Sequence, residues 1–487
     1  MKVKQIALDE KAVRKLALLH RNPQLLSVPQ SLRLTQIRWC DCELNSMELT
    51  IEQSGRVSFR GDAPSTNVIC DDLKDWSEDC FQARTDFGPI QLHKGGCLMS
   101  RWTWGREAGR KITVHLQSWN WSSFDAAGDN WWVAPISFQG DKAPLHWWFL
   151  PRGNVSLSID EDCPPIWRFQ LGSEGKQAFF GSFDDQWYLL IETQIGSPPG
   201  TQKVSDLLTA VSFALGVSLE VGVFSQLGND NGVTGMARLS VYGSHRSKRS
   251  QPAALPIEAE PEWLIRFVER SLIFMEHHPW GILHVAMNSY LHSLDSTLDS
   301  EFVQNWIGTE AIAGWLLKTG KIPRQEKSLL VKDPDRWKNW VQNHRKEICE
   351  LAKDASSTQK LYDKVLSAAD KRESKVEKVF RGLDLPWTAE MEDVQDIRHL
   401  AAHEGIIAEN EGRNYTRDRE RIGHIKTMLT ALIAKIIGYD GPIADRSKTS
   451  FNIGIDKRPD WWPTSELDNI TEYTGNAVSN RAPPQPD

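Results

Sequence analysis

Between residues 30 and 245 apolar and polar positions alternate in short runs. SMELTIE (46–52), RVSFR (56–60) and KITVHL (111–116) keep a period of two, the mark of a strand with one face buried. WYLLIE (187–192) reads as a further strand, and Gly-Asp, Gly-Asn and Pro-Gly steps separate such runs. A succession of this kind predicts a β-sandwich or barrel. VSDLLTAVSFAL (204–215) breaks the pattern, because its apolar spacing suits a helix lying on the sheet. From Glu262 to about Tyr439 the period lengthens to that of helices. Trp263, Phe267 and Leu272 begin one, and Phe302, Trp306, Ile307, Ala311 and Leu316 line another. Residues 337–353 and 359–383 predict two charged helices, 391–403 a shorter one with Gly405 as C-cap, and 417–437 a closing one. The Ile422, Ile425, Leu429, Leu432 and Ile436 stripe marks the buried face of that last helix. The expected fold is therefore α+β and multidomain. A sandwich-like β-rich unit (1–245) precedes a linker (246–261), a bundle of five or six helices (262–440) and a loosely ordered tail (441–487).

The chain has 487 residues, 57 Lys+Arg against 64 Asp+Glu and a net charge of −7, which excludes a globally basic nucleic-acid coat. A mean hydropathy of −0.44 and the lack of a long apolar run argue against a membrane span. Seven cysteines do not form a disulfide framework, so a cytoplasmic setting is expected. The 21 tryptophans are explained by aromatic-rich β-structure, with an aromatic ligand patch as the alternative.

Walker-type, GxSxG and HExxH motifs are absent. Cys40, Cys42, Cys70 and Cys80, with Cys97 or His93, have the chemistry for a structural zinc, but their irregular spacing fits buried thiols as well. The basic run His245–Arg249 reads as solvated linker or as an RNA-backbone contact. The sharpest local feature is EDVQDIRHLAAH (392–403), which holds Arg398 and His403 in an Arg-x4-His spacing. Arginine offers a permanent planar cation to phosphate, and histidine passes protons near neutral pH. Together they suit attack of a ribose 2′-OH on its own 3′-phosphate. The same spacing recurs at Arg110…His115 and Arg419…His424, so spacing alone selects nothing. On a straight helix Arg398 lies about 140° from His403, whereas Asp396, His399 and His403 share the polar side. Either the helix loosens near its end or two copies meet across a dimer. His399 and His403 with Asp396 also have the spacing of a metal pair, or the histidines are idle surface residues.

FVQNWIGTEAIAGWLL (302–317), with Glu310 inside an apolar run, and DIRHLAAH (396–403) together resemble a HEPN domain. Within that group the chain is similar to the ApeA-like anti-phage proteins, over roughly residues 262–440. The resemblance implies a metal-independent endoribonuclease, without cofactor or bound metal, working as an abortive-infection or toxin effector at a dimer interface. Arg398 would hold the scissile phosphate and His403 would act as general base or acid. His399 and Asp396 would support them, as would Glu310, which reads equally as a helix-stabilising ion pair. Expected partners are RNA (tRNA among the candidates), a second copy or a higher homo-oligomer, and a phage-derived protein trigger. Lys371, Arg372, Lys375 and Lys378, with Arg381, form a basic helix face for RNA or a solvated face paired with Glu373 and Glu377. The alternative function is a non-catalytic binding module whose bundle only dimerises.

Overall fold

The computed structural model describes residues 15, 18–19, 31–39, 42–44, 47–51, 57–62, 81–92, 99–104, 111–116, 121–124, 130–139, 167–172, 175–183, 186–228, 233–238, 253–255, 261–278, 281–293, 296–322, 333–366, 374–404, 414–447 and 462. Two antiparallel sheets come first. One joins β1 (Ser31–Trp39), β2 (Cys42–Leu44), β3 (Met47–Ile51), β4 (Val57–Asp62), β5 (Phe81–Thr85), β6 (Gly88–Pro89), β8 (Met99–Trp104) and β9 (Lys111–Leu116), in the order β6-β5-β1-β3-β4-β9-β8 with β2 on β1. The other joins β7 (Gln91–Leu92), β10 (Trp121–Phe124), β11 (Trp131–Gln139), β12 (Trp167–Leu171), β13 (Lys176–Phe183), β14 (Gln186–Glu192), β15 (Ser218–Val221), β16 (Val223–Leu227) and β17 (Val233–Arg238). Its order is β12-β13-β14-β11-β16-β17-β10-β7, with β15 on β11.

Through β11, β13 and β14 the second sheet is buried on both faces. Trp132, Phe169, Phe180, Leu189 and Ile191 join the main core, while their strand neighbours Trp131, Phe179, Tyr188 and Leu190 are buried on the opposite side. Double-sided burial explains why β11 and β14 read as apolar runs instead of alternating. Trp131 packs on Phe179 with ring centroids 5.8 Å apart, so part of the tryptophan excess is core packing.

Helix α1 (Thr201–Leu215) lies on this sheet and ends at Gly216, whose φ of 65° is the left-handed C-cap that glycine adopts without a Cβ clash. It also carries the core onward. Phe213 stacks on Phe267 at 5.9 Å and meets Tyr290 edge-on at 4.8 Å. These partners belong to α2 (Pro261–His277) and α3 (Ile282–His292). His284 Nε2 stands 2.8 Å from Asp206 Oδ1, both buried, at the same junction. One hydrophobic core therefore runs from Trp132 to Trp462, across the expected domain boundary.

The remaining helices are α4 (Leu298–Lys318), α5 (Pro334–Asn343), α6 (Arg345–Glu350), α7 (Ala355–Leu366), α8 (Lys375–Gly382), α9 (Ala389–Glu404) and α10 (Tyr415–Ile436). Nine helices thus follow Pro261 among the described residues, against an expected five or six. The charged helix foreseen over 337–353 breaks at His344 (φ −100°, ψ 16°), and that over 359–383 is split between α7 and α8. Ser374 starts α8 as its N-cap, accepting from the Glu377 N–H at 3.0 Å. Helices α5–α7 hold a small core of their own around Val341, Ile348 and Tyr362.

Two expectations of loose chain need correction. Within the predicted linker Ala253, Ala254 and Leu255 are buried, and the Leu255 N–H donates to Ala214 O at 3.4 Å. Within the predicted tail Ile443, Ala444, Asp445 and Arg446 are buried, and Trp462 donates to Gly441 O at 2.7 Å. This segment crosses α10 at Gly423, where a side chain would collide with the Arg446 carbonyl. Among the described residues no helix is long and apolar enough to cross a membrane.

Candidate functional site

Helix α4 supplies the frame of the site. Its N-cap Thr297 accepts from the Ser300 N–H, and Asp299 and Glu301 place negative charge in the first turn, where the helix dipole favours it. Asn305 is buried and donates to Ser293 Oγ at 3.0 Å, tying α4 to the end of α3. At Gly308 an added Cβ would lie 3.2 Å from both Leu429 and Ser289, so the glycine lets α3 and α10 pack closely on this helix. The stripe Phe302, Trp306, Glu310 advances four residues at a time, which keeps it on one side of α4. Phe302 and Trp306 are buried and nearly parallel, 7° apart with centroids at 6.4 Å.

Helix α9 brings the second half. Met391, Val394, Ile397 and Ala401 are its buried side, at the three- and four-residue spacing of a helix face. Arg398 then reaches α4, where Nη1 forms an ion pair with Glu310 Oε1. Its guanidinium carbon lies 5.6 Å from the centroid of the Trp306 ring. The side chains of Arg398 and Glu310 are 38% and 39% exposed, so the pair stands at the surface, open to an anion from solvent. Among the described residues Arg398 has no acceptor besides Glu310, and most of its N–H groups remain available.

The two stretches singled out in the sequence thus meet at Glu310 and Arg398. Asp396 is exposed and falls on the other side of α9 from Arg398. His399 and His403 lie on α9, but their side chains are outside the described residues. Helix α9 is unbroken from Ala389 to Glu404, so it does not loosen between Arg398 and His403. The two positions stay about 140° apart around its axis. Lys375 and Lys378 are exposed on α8, whereas Arg381 is held by Glu377 Oε1 at 2.8 Å. Lys371, Arg372 and the His245–Arg249 run lie outside the described residues. So do Cys40, Cys70, Cys80, Cys97 and His93, and of Cys42 only the backbone in β2 is described. No group of three or more His, Cys, Asp or Glu is placed to hold a metal among the described residues.

Several other charged groups of α4, α9 and α10 are paired or buried. Asp393 accepts from Arg421 Nε at 2.8 Å and from Arg417 Nη2 at 2.9 Å, and the Arg421 hydrogen bond holds its carboxyl below the usual range. Burial lowers the pKa of His424, with Asp445 and Glu390 opposing. Lys426 pairs with Glu301 and lies 5.5 Å from the Tyr290 ring; its burial lowers its pKa. Sequence reading missed Trp306 as part of the site. Its four-residue spacing from Glu310 was the available signal, and its place on the apolar stripe concealed it. No protein-family model, curated protein or solved structure matches the chain.

Proposed function

We propose that the chain is a HEPN-type, metal-independent endoribonuclease that acts as an anti-phage or toxin effector. The observation that supports this reading most is the convergence of Glu310 and Arg398 at the surface, above Trp306. A guanidinium held at one nitrogen and backed by a ring still offers N–H pairs to a phosphate. In this reading Arg398 binds the scissile phosphate. An imidazole from His403 takes the proton of the 2′-OH or delivers one to the leaving 5′-oxygen. The O2′–P bond forms, the P–O5′ bond breaks, and the product ends in a 2′,3′-cyclic phosphate. In this reading, since α9 is a continuous helix, a second copy of the chain supplies the His403 that meets an Arg398 at the same phosphate.

Purified full-length protein, alone and in lysate from phage-infected cells, should cut total RNA in the presence of EDTA. Products should end in cyclic phosphate. Arg398→Ala and His403→Ala should each lose cleavage by about a hundredfold or more, in the range for removing a proton-transfer or charge-stabilising group. Cleavage equal to wild type in either variant sinks the assignment. The Glu310–Arg398 pair also supports a second reading, a bundle that dimerises without catalysis, because the carboxylate offsets the cation. That reading expects no cleavage by the wild-type protein under any of these conditions.

A further inference from the structure

We propose that Trp306 is a positioning residue for Arg398, a role that rests on the nuclease reading above. The ring is packed within the bundle. Trp306 is 4% exposed, lies parallel to Phe302 one turn earlier, and projects from the α4 stripe that also carries Glu310. Its ring stands 5.6 Å from the Arg398 guanidinium carbon, within the range at which the quadrupole of an indole attracts a cation. Glu310 meets the same guanidinium at Nη1.

The two contacts do different things. A carboxylate on one nitrogen fixes a point and leaves the planar group free to swing about it. The ring supplies a second reference, so the side chain loses the freedom that a long exposed arginine otherwise keeps. Phosphate recognition by arginine is a fork of two parallel N–H bonds, which demands an oriented plane rather than a charge alone. Lys426 shows what the pairing looks like without this role. It has a carboxylate and a ring as neighbours too, yet it is buried and has no opening to a ligand.

The test combines cleavage with the nitrogen-15 signal of the Arg398 Nε–H group, assigned by its loss in Arg398→Ala. In wild type a ring current should displace that signal, and inorganic phosphate should shift it on titration. Trp306→Leu should remove the displacement and lower kcat/KM for RNA by about tenfold. Trp306→Phe, which keeps a ring, should retain much of both. Melting curves establish that each variant is folded. If Trp306→Leu does not fold, fluorinated tryptophans placed at position 306 alone leave the shape intact and weaken the ring potential stepwise. Cleavage should then fall with each added fluorine. A folded Trp306→Leu that cleaves like wild type, or fluorination without effect, overturns the proposal. Unchanged cleavage in Arg398→Ala overturns the nuclease reading instead, so the two failures are separable.

Discussion

Helix α4 carries two glutamates that each meet a cation beside an aromatic ring, and their surroundings are opposite. Near its N-terminus Glu301 pairs with Lys426 next to Tyr290, with side chains 13% and 6% exposed. Further along, Glu310 pairs with Arg398 above Trp306 at 39% and 38%. A buried pair is costly to break, because removing one partner strands the other charge away from water. An exposed pair contributes little to stability and exchanges readily with another anion. On the proposed nuclease reading the phosphate would bind at the second site, while the first ties α4 to α10.

Breaking the buried pair should have the largest effect on the fold. Lys426→Met leaves the Glu301 carboxylate without its ammonium partner and should cost about 3 kcal/mol of stability, read from urea denaturation. Adding Glu301→Gln should restore part of that loss, since the stranded charge is gone. A single variant as stable as wild type would show that the pair does not hold the helices.

At the exposed pair the balance should invert. Glu310→Gln keeps the shape of the side chain and removes its charge. Stability should change by less than about 1 kcal/mol, as for other surface pairs. RNA cleavage should fall by about tenfold, equivalent to about 1.4 kcal/mol of barrier, because Arg398 loses one of its two anchors. A variant with large loss of stability and unchanged cleavage would make Glu310 a structural residue like Glu301.

This contrast was only half legible in the sequence. Ile422, Ile425, Leu429 and Leu432 of α10 are buried where helical period puts them, whereas in α4 Ile307, read as part of the apolar stripe, is 51% exposed. Glu310 and Arg398 could each be singled out by type and neighbours. Their meeting could not, since it depends on how two helices 88 residues apart in sequence cross. Trp306 was assigned to the core stripe, and it is buried there; periodicity does not reveal that its ring edge or face meets a cation. Lys426 was missed for the converse reason. A lysine inside an apolar helix reads as an interruption until Glu301 is seen against it. The splitting of the two charged helices and the burial of Ala253–Leu255 and Ile443–Arg446 are tertiary effects. A short polar or Pro-containing stretch reads as solvated unless packing supplies partners for its backbone, as Ala254 O does in accepting from the Ala444 N–H at 3.0 Å.

The smallest expected effect separates a group on α9 from one on α10 by pH. Asp393, one turn before Arg398, accepts hydrogen bonds from Arg421 and Arg417, and the first of these chiefly depresses its pKa. A depressed carboxyl pKa means that the unfolded chain takes up a proton first as pH falls. The contribution of Asp393 is thus present above the ordinary carboxylate value and is lost as pH drops through the folded one. His424, on α10, is shifted down by burial, so the folded protein favours the neutral ring. Below the ordinary histidine value the unfolded chain gains a proton that the folded one resists, and stability falls at higher pH than it does for Asp393. Melting temperature should therefore decline in two windows, the upper from His424 and the lower from Asp393. His424→Asn should flatten the upper window, by less than about 1 kcal/mol, and leave the lower one in place. Asp393→Asn should do the reverse. Neither change touches the Glu310–Arg398 pair, so RNA cleavage at neutral pH should stay near wild type in folded samples of both. A steep loss of cleavage in His424→Asn would instead draw the Arg419…His424 spacing into the chemistry and take it away from Arg398.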